Sequence, residues 1–206
     1  LKEKLPKLLD KLNLDKSFIG GAITTPHKTD VAKWLGKNVT DEAYKIGAVN
    51  CLFRGKDGNL SGTNTDGEGS IKALTEQIGE FKNKNILILG FGGAGKAVSV
   101  YFSYSTEKGD IYVSTRKQND EIYINKLKNS TWVNWSKKEK LLNKIDIVIN
   151  CTSIGFGDQE QLSPLGIEDL QKIKKNGFIY DIIYQPEQSV LLKNAHKIGL
   201  KTLNGS

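Results

Sequence analysis

Leu1, Leu5, Leu8, Leu9 and Leu12 recur at helical spacing, so the chain is expected to open with an amphipathic helix. Residues 18–25 read as a strand that ends at Pro26. Residues 29–36 and 41–46 read as short helices, and 48–54 as a second strand. Lys56-Asp57-Gly58-Asn59 has the composition of a hairpin turn, with Leu60 starting the return strand. A helix is expected from Gly67 to about Gly79, and the polar stretch 80–83 reads as a hinge.

Beyond the hinge the pattern changes. Apolar, strand-like runs occupy 86–89, 110–114, 145–150 and 178–181, with helical or mixed polar segments between them. Such alternation predicts βα units, and hence a parallel sheet covered by helices on both faces. Trp132 and Trp135 lie in a short strand-like piece where packing accounts for both. There is no internal repeat and no low-complexity tract.

Composition narrows the function classes only modestly. A chain of 206 residues with 38% hydrophobic and 26% charged residues is that of an ordinary globular protein. The longest apolar stretches, such as Asn85 to Gly90, are far too short to span a bilayer. With no secretory leader pattern at the start, a cytoplasmic location is expected. The formal charge of +7 raises the question of nucleic acid, but the lysines are scattered, with short runs only at Lys137-Lys138 and Lys174-Lys175. A scattered positive surface suits anionic small molecules better than a nucleic-acid stripe. Cys51 and Cys151 have neither CxxC nor histidine spacing, so no metal site is expected. The absence of Met, and the start at Leu1, suggest a piece of a longer chain.

Gly90-Phe91-Gly92-Gly93-Ala94-Gly95 fits GxGxxG, follows a strand-like run and precedes an Ala/Val-containing segment of helical character. In that context the first glycine permits the tight turn, and the second lets backbone approach a pyrophosphate. The third lets helix and sheet pack closely, with the helix N-terminus aimed at phosphate. The next strand runs into Ser114-Thr115-Arg116-Lys117, with no carboxylate before Asp120. An NAD site commonly places Asp or Glu there for the ribose 2′-hydroxyl. Arg116 and Lys117 suit a 2′-phosphate instead, with Ser114 and Thr115 as hydroxyl donors, so NADP is the expected cofactor.

Five further segments, in order along the chain, carry a resemblance. Residues 22–28, Ala-Ile-Thr-Thr-Pro-His-Lys, resemble an NVTxPxK motif. Gly47-Ala48-Val49-Asn50 is similar to GAVNT, and Asn64-Thr65-Asp66-Gly67 matches NTDG. Residues 150–155, Asn-Cys-Thr-Ser-Ile-Gly, look like NATSxG, and residues 181–186, Asp-Ile-Ile-Tyr-Gln-Pro, like D-x-x-Y-x-P. Together they make the chain resemble the shikimate dehydrogenases over essentially its whole length. The resemblance implies a Rossmann-type doubly wound α/β domain for NADP and a smaller α/β substrate-binding domain, with the active site in the cleft between them. It implies residues 1–66 as the substrate domain and 67–200 as the NADP domain. Residues 201–206 would begin the return to the substrate domain. The implied reaction is the reversible NADPH-dependent reduction of 3-dehydroshikimate to shikimate, on the route to chorismate and the aromatic amino acids, by a monomer or homodimer.

The implied roles follow residue by residue. Lys28 matches the catalytic lysine, whose ammonium can stabilise and protonate the developing alkoxide, and Asp66 its partner carboxylate. Thr24, Asn50 and Tyr184 would touch the substrate, while Asn64 would hold the loop that presents Asp66. Thr152 and Ser153 would lie near the dinucleotide, with Ile182 flanking its nicotinamide. His27, pointed away from Lys28 by strand alternation, and His196 are read as structural. Ala22 stands where the family has Asn, and Cys51 where it has Thr. The family's Ser-x-Ser pair for the substrate carboxylate has no match, because the chain begins about one βα unit late. The glutamine-bearing helix expected after Asn204-Gly205 is also missing. Two alternatives remain. One is a quinate/shikimate dehydrogenase using NAD, which Arg116 disfavours. The other is a catalytically silent NADP-binding homologue, which has no need of both Lys28 and Asp66.

Overall fold

The computed structural model describes residues 4–24 and 26–206, so Leu1 of the opening helix and Thr25 of the first motif lie outside the described residues. The chain divides into two compact units, Leu1–Asp66 and Gly67–Ser206.

The first unit runs α1 (Leu5–Leu14), β1 (Gly20–Ala22), α2 (Lys28–Leu35), α3 (Asp41–Ile46), β2 (Cys51–Arg54) and β3 (Leu60–Thr63). Its three strands form an antiparallel sheet in the order β1-β2-β3. Leu9 of α1, Val31 and Leu35 of α2, and Ala43 of α3 meet Val49, Leu52 and Leu60 in one buried cluster. Leu8, counted above among the repeating leucines, falls off that face and is half exposed. Arg54 fastens α1 to the sheet. Its guanidinium donates to the carbonyls of Leu12, Asn13 and Asp15 at the helix C-terminus, and to those of Phe18 and Gly58. The Leu12 and Asn13 carbonyls are among those that the end of α1 leaves without helical partners.

The expected strand over 18–25 is shorter, because the backbone turns after Ala22. His27 donates its N–H to the Thr24 carbonyl and precedes α2. Strand alternation therefore does not separate His27 from Lys28; a helical turn does, and it leaves His27 Nδ1 buried without a hydrogen-bond partner.

The second unit continues from the first residue of α4 (Asp66–Ile78) through β4 (Ile86–Leu89), α5 (Gly93–Ser105), β5 (Ile111–Thr115), α6 (Glu121–Ile124) and β6 (Ser130–Asn134). It ends with β7 (Ile147–Asn150), α7 (Ile167–Leu170), β8 (Phe178–Asp181), α8 (Val190–Lys197) and β9 (Lys201–Leu203). All six strands are parallel, in the order β6-β5-β4-β7-β8-β9. Counted from β4 this is the 3-2-1-4-5-6 order of a doubly wound dinucleotide fold. Both faces are covered. Ile86 and Ile88 pack with Leu74 of α4 and Val98 and Phe102 of α5, whereas Leu87 and Leu89 pack with Leu170 of α7 and Leu191 of α8. That is why β4 reads as an unbroken apolar run rather than an alternation. Lys201–Leu203, set apart above as the start of a return segment, pairs with β8 as the edge strand of this sheet.

Candidate functional site

In the first unit, two helix starts bring a lysine and a carboxylate together. Lys28 is the first residue of α2 and Asp66 the first of α4. Lys28 Nζ donates to Asp66 Oδ2 at 2.6 Å, with the two side chains 15% and 24% exposed. The N-terminal end of a helix favours the carboxylate and disfavours the ammonium, so the pairing offsets the cost of placing Lys28 there. The other carboxylate oxygen, Oδ1, accepts from Asn50 Nδ2 at 2.6 Å. Asn50 in turn accepts the Thr65 N–H at 3.0 Å and donates to the Thr65 hydroxyl at 3.1 Å.

Buried Asn64 fixes the approach to α4. Its amide donates to the Ala48 carbonyl at 3.1 Å, and its oxygen accepts the Asp66 N–H at 3.1 Å. The main chain finishes the cluster: the Val49 N–H donates to the Lys28 carbonyl and the Ile23 N–H to the Asn50 carbonyl. Three separate segments thus hold Lys28, Asn50 and Asp66 in contact. Thr24 is exposed just before α2.

In the second unit, the glycine loop joins β4 to the N-terminus of α5. Gly90 has φ +93°, and a Cβ there would sit 2.9 Å from the Thr152 methyl. A side chain on Gly95 would land on the Gly90 carbonyl oxygen, so α5 packs on the loop only with glycine at that place. A side chain on Gly92 would meet nothing, and its backbone faces open space where α5 begins, at Gly93 and Ala94. An exposed turn with free space before a helix N-terminus fits a dinucleotide pyrophosphate. At the end of β5, Arg116 and Lys117 are exposed. Ser114, by contrast, is fully buried, and Thr115 is 5% exposed with its hydroxyl engaged by the Lys117 carbonyl and by Trp132 Nε1. Both hydroxyls that the sequence assigns to a 2′-phosphate are thus buried in the sheet, Ser114 Oγ without a hydrogen-bond partner, whereas the two cationic side chains are open to solvent.

The loops after β7 and β8 are tied by a buried polar relay. Asp181, the last residue of β8, is fully buried. Its Oδ1 accepts from Asn150 Nδ2 at 3.0 Å and the Ile183 N–H at 3.2 Å, while Oδ2 accepts from the Ser189 hydroxyl at 2.6 Å. Asn150 also donates to the Ile154 carbonyl and accepts from both the N–H and the hydroxyl of Thr152. Burial pushes the Asp181 carboxyl above the ordinary value, against the pull of its three hydrogen bonds. Thr152 and Ile182 are half buried beside this relay, whereas Ser153 and Tyr184 are exposed, Tyr184 by 62%. Among the described residues no group of three or more His, Cys, Asp or Glu could hold a metal ion.

No family model matches the chain. Individual relatives do. A shikimate dehydrogenase (NADP(+)) of Methanococcus vannielii is 36% identical over 198 residues, covering 92% of this chain and 67% of the relative. Its counterpart in Thermosynechococcus vestitus is 34% identical over 206 residues, covering 96% and 68%. The chain belongs to the shikimate dehydrogenase family. Solved members superpose closely. A shikimate dehydrogenase crystallised with NADP+ gives a TM-score of 0.86 at 32% identity, over 100% of this chain and 71% of that one. The Thermus thermophilus shikimate 5-dehydrogenase, in complex with NADP(H) and shikimate, gives 0.81 at 28% identity, over 98% and 72%. The chain thus spans about two thirds of the length of these shikimate dehydrogenases.

Among the family-motif residues given no role on sequence grounds, Asn150 and Asp181 are the two buried members of the polar relay. Each opens a quoted motif, and each ends a strand at the carboxyl edge of the sheet where this fold binds its ligand. That position was the available signal.

Proposed function

We propose that this chain catalyses the reversible NADPH-dependent reduction of 3-dehydroshikimate to shikimate, the first unit carrying the substrate and the second the cofactor. The observation that carries the reading is the Lys28–Asp66–Asn50 cluster, built in a chain whose other unit has an open glycine turn on a doubly wound sheet. A simple dinucleotide-binding protein has no use for that cluster.

The NADP site would be formed by Gly90, Gly92, Gly93, Ala94 and Gly95 around the pyrophosphate, with Arg116 and Lys117 at the 2′-phosphate and Thr152, Ser153 and Ile182 further along. When bound, the nicotinamide supplies hydride. The chain's own residues manage the proton. Lys28 Nζ holds a proton that it can give to the oxygen of the reacting ketone, and its charge stabilises that oxygen as electron density builds there. Asp66 fixes the direction of the ammonium through Oδ2, and Asn50 fixes Asp66 through Oδ1. Neighbouring ring hydroxyls can donate to the Asp66 carboxylate and exchange hydrogen bonds with Asn50 and Thr24. Tyr184 is exposed on the loop after β8 and is assigned to the substrate on the same reading.

The test is shikimate oxidation assayed with NADP and with NAD, beside Lys28→Ala. Robust NADP-dependent turnover that falls by about 10²-fold or more in the variant supports the assignment. Turnover of quinate with NAD in preference would move the chain to the quinate-type alternative. NADP binding without turnover would make it a silent homologue.

A further inference from the structure

The relay at the ends of β7 and β8 leaves neither carboxylate oxygen of Asp181 without a donor. Every hydrogen bond to Asp181 comes from a donor: an amide N–H, a backbone N–H and a hydroxyl. Ser189 accepts the Leu192 N–H, which directs its own hydrogen to Asp181. An ionised carboxylate, acceptor-only, satisfies all of them at once. Asn150 is equally committed, with two donations from its amide nitrogen and two hydrogen bonds received at its oxygen. Thr152 passes the link on, its hydroxyl accepting the Ile154 N–H.

Apart from the Leu192 N–H on Ser189, none of these bonds reaches a member of the buried hydrophobic clusters' helices. The others run from the tips of two strands into the two loops that follow, 151–155 and 182–189. Those loops carry Thr152, Ser153 and Ile182, the residues placed at the dinucleotide beyond its pyrophosphate. We propose that Asp181 is a positioning residue for the dinucleotide: through Asn150 and Ser189 it locks both loops in one relative arrangement and thereby sets the affinity for NADPH. The inference rests on the NADP reading above. Asp181 touches no ligand, being fully buried, and acts only through the backbone and side chains it holds.

A purely architectural acid would behave differently. Its loss would lower the melting temperature but leave the affinity of the folded fraction unchanged. The discriminating experiment is direct titration of NADPH fluorescence with wild type, Asp181→Ala, Asp181→Asn and Ser189→Ala, each held well below its own melting temperature. Asp181→Ala removes every acceptor, and its Kd for NADPH is expected to rise by about tenfold or more. Asp181→Asn keeps one oxygen for the Asn150 amide and the Ile183 N–H, and is expected to stay within about threefold of wild type. Ser189→Ala loses one hydrogen bond to Asp181 and should rise by about threefold.

Wild-type affinity in folded Asp181→Ala overturns the proposal. Should Asp181→Ala fail to fold, Ser189→Ala decides, and an unchanged Kd there overturns it equally. A wild-type protein that does not bind NADPH at all would overturn the cofactor reading, and this inference with it. Wild-type binding with unmoved variants sinks the inference alone.

Discussion

At the end of β5 the choice of dinucleotide comes down to two side chains. Ser114 and Thr115 are shut into the sheet and Arg116 and Lys117 are exposed, so the proposed NADP site gives the ribose phosphate to these two cations. A guanidinium can bind phosphate through two parallel N–H donors, whereas an ammonium acts as a point charge. Arg116→Ala is therefore expected to raise KM for NADP by about tenfold or more while leaving KM for NAD nearly unchanged. Steady-state kinetics with both cofactors check this, and equal losses for the two would remove Arg116 from the phosphate site. The positive charge of this corner was legible from sequence because it needs only residue type and place after a strand. The withdrawal of the two hydroxyls was not. For Thr115 it depends on Trp132, which lies 17 residues on and takes the hydroxyl as its acceptor, and for Ser114 on burial in the sheet, its hydroxyl having no hydrogen-bond partner. His27 shows the same limit: its side-chain direction followed from whether 26–28 is strand or helix, and Pro26 did not settle that.

Among elements, long-range fastening decides what a pattern cannot. The opening helix was readable from its leucines, but its end is fixed by Arg54, about forty residues away on β2. That guanidinium serves five carbonyls from α1 and the loops beside it. Arg54→Ala leaves them competing for water in a partly buried place, and about 2–3 kcal/mol of stability should be lost. Urea denaturation followed by circular dichroism measures it. Arg54→Lys should recover only part, since an ammonium cannot span so many acceptors. A loss below about 0.5 kcal/mol in Arg54→Ala would mean the fastening is ornamental. The central strands β4, β7 and β8 were plain in the sequence because both faces are covered and, apart from Asn150 and Asp181 at the strand ends, their residues are apolar or aromatic. β9 escaped notice for the opposite reason. It is three residues long, lies on the sheet edge, and has a single apolar residue, Leu203, so pairing with β8 rather than its own pattern makes it a strand.

For the molecule as a whole, two compact units with separate cores imply a division of labour that ligands should reveal. A ligand that binds only the native state stabilises what it touches, by about 2.7 kcal/mol at one hundred times its Kd. NADP+ should therefore slow amide hydrogen exchange in the second unit, chiefly at 90–96, 114–117, 151–155 and 182–184. Residues 20–66 should change little. Shikimate should act in the reverse sense, protecting residues near Thr24, Lys28, Asn50 and Asp66. The formal charge of +7 works in favour of both, since shikimate is a carboxylate and NADP+ carries phosphates. Its contribution is separable, because raising the salt concentration screens a general attraction while a built site keeps its pattern of protection. Exchange measured at low and at moderate salt thus tests the assignment twice. If NADP+ slows exchange evenly over both units, and the slowing fades with salt, charge alone is at work and the division fails. If protection stays confined to the glycine loop, the end of β5 and the two braced loops, the second unit is where NADP binds, and the Lys28–Asp66 pair is left for the other partner in the reaction.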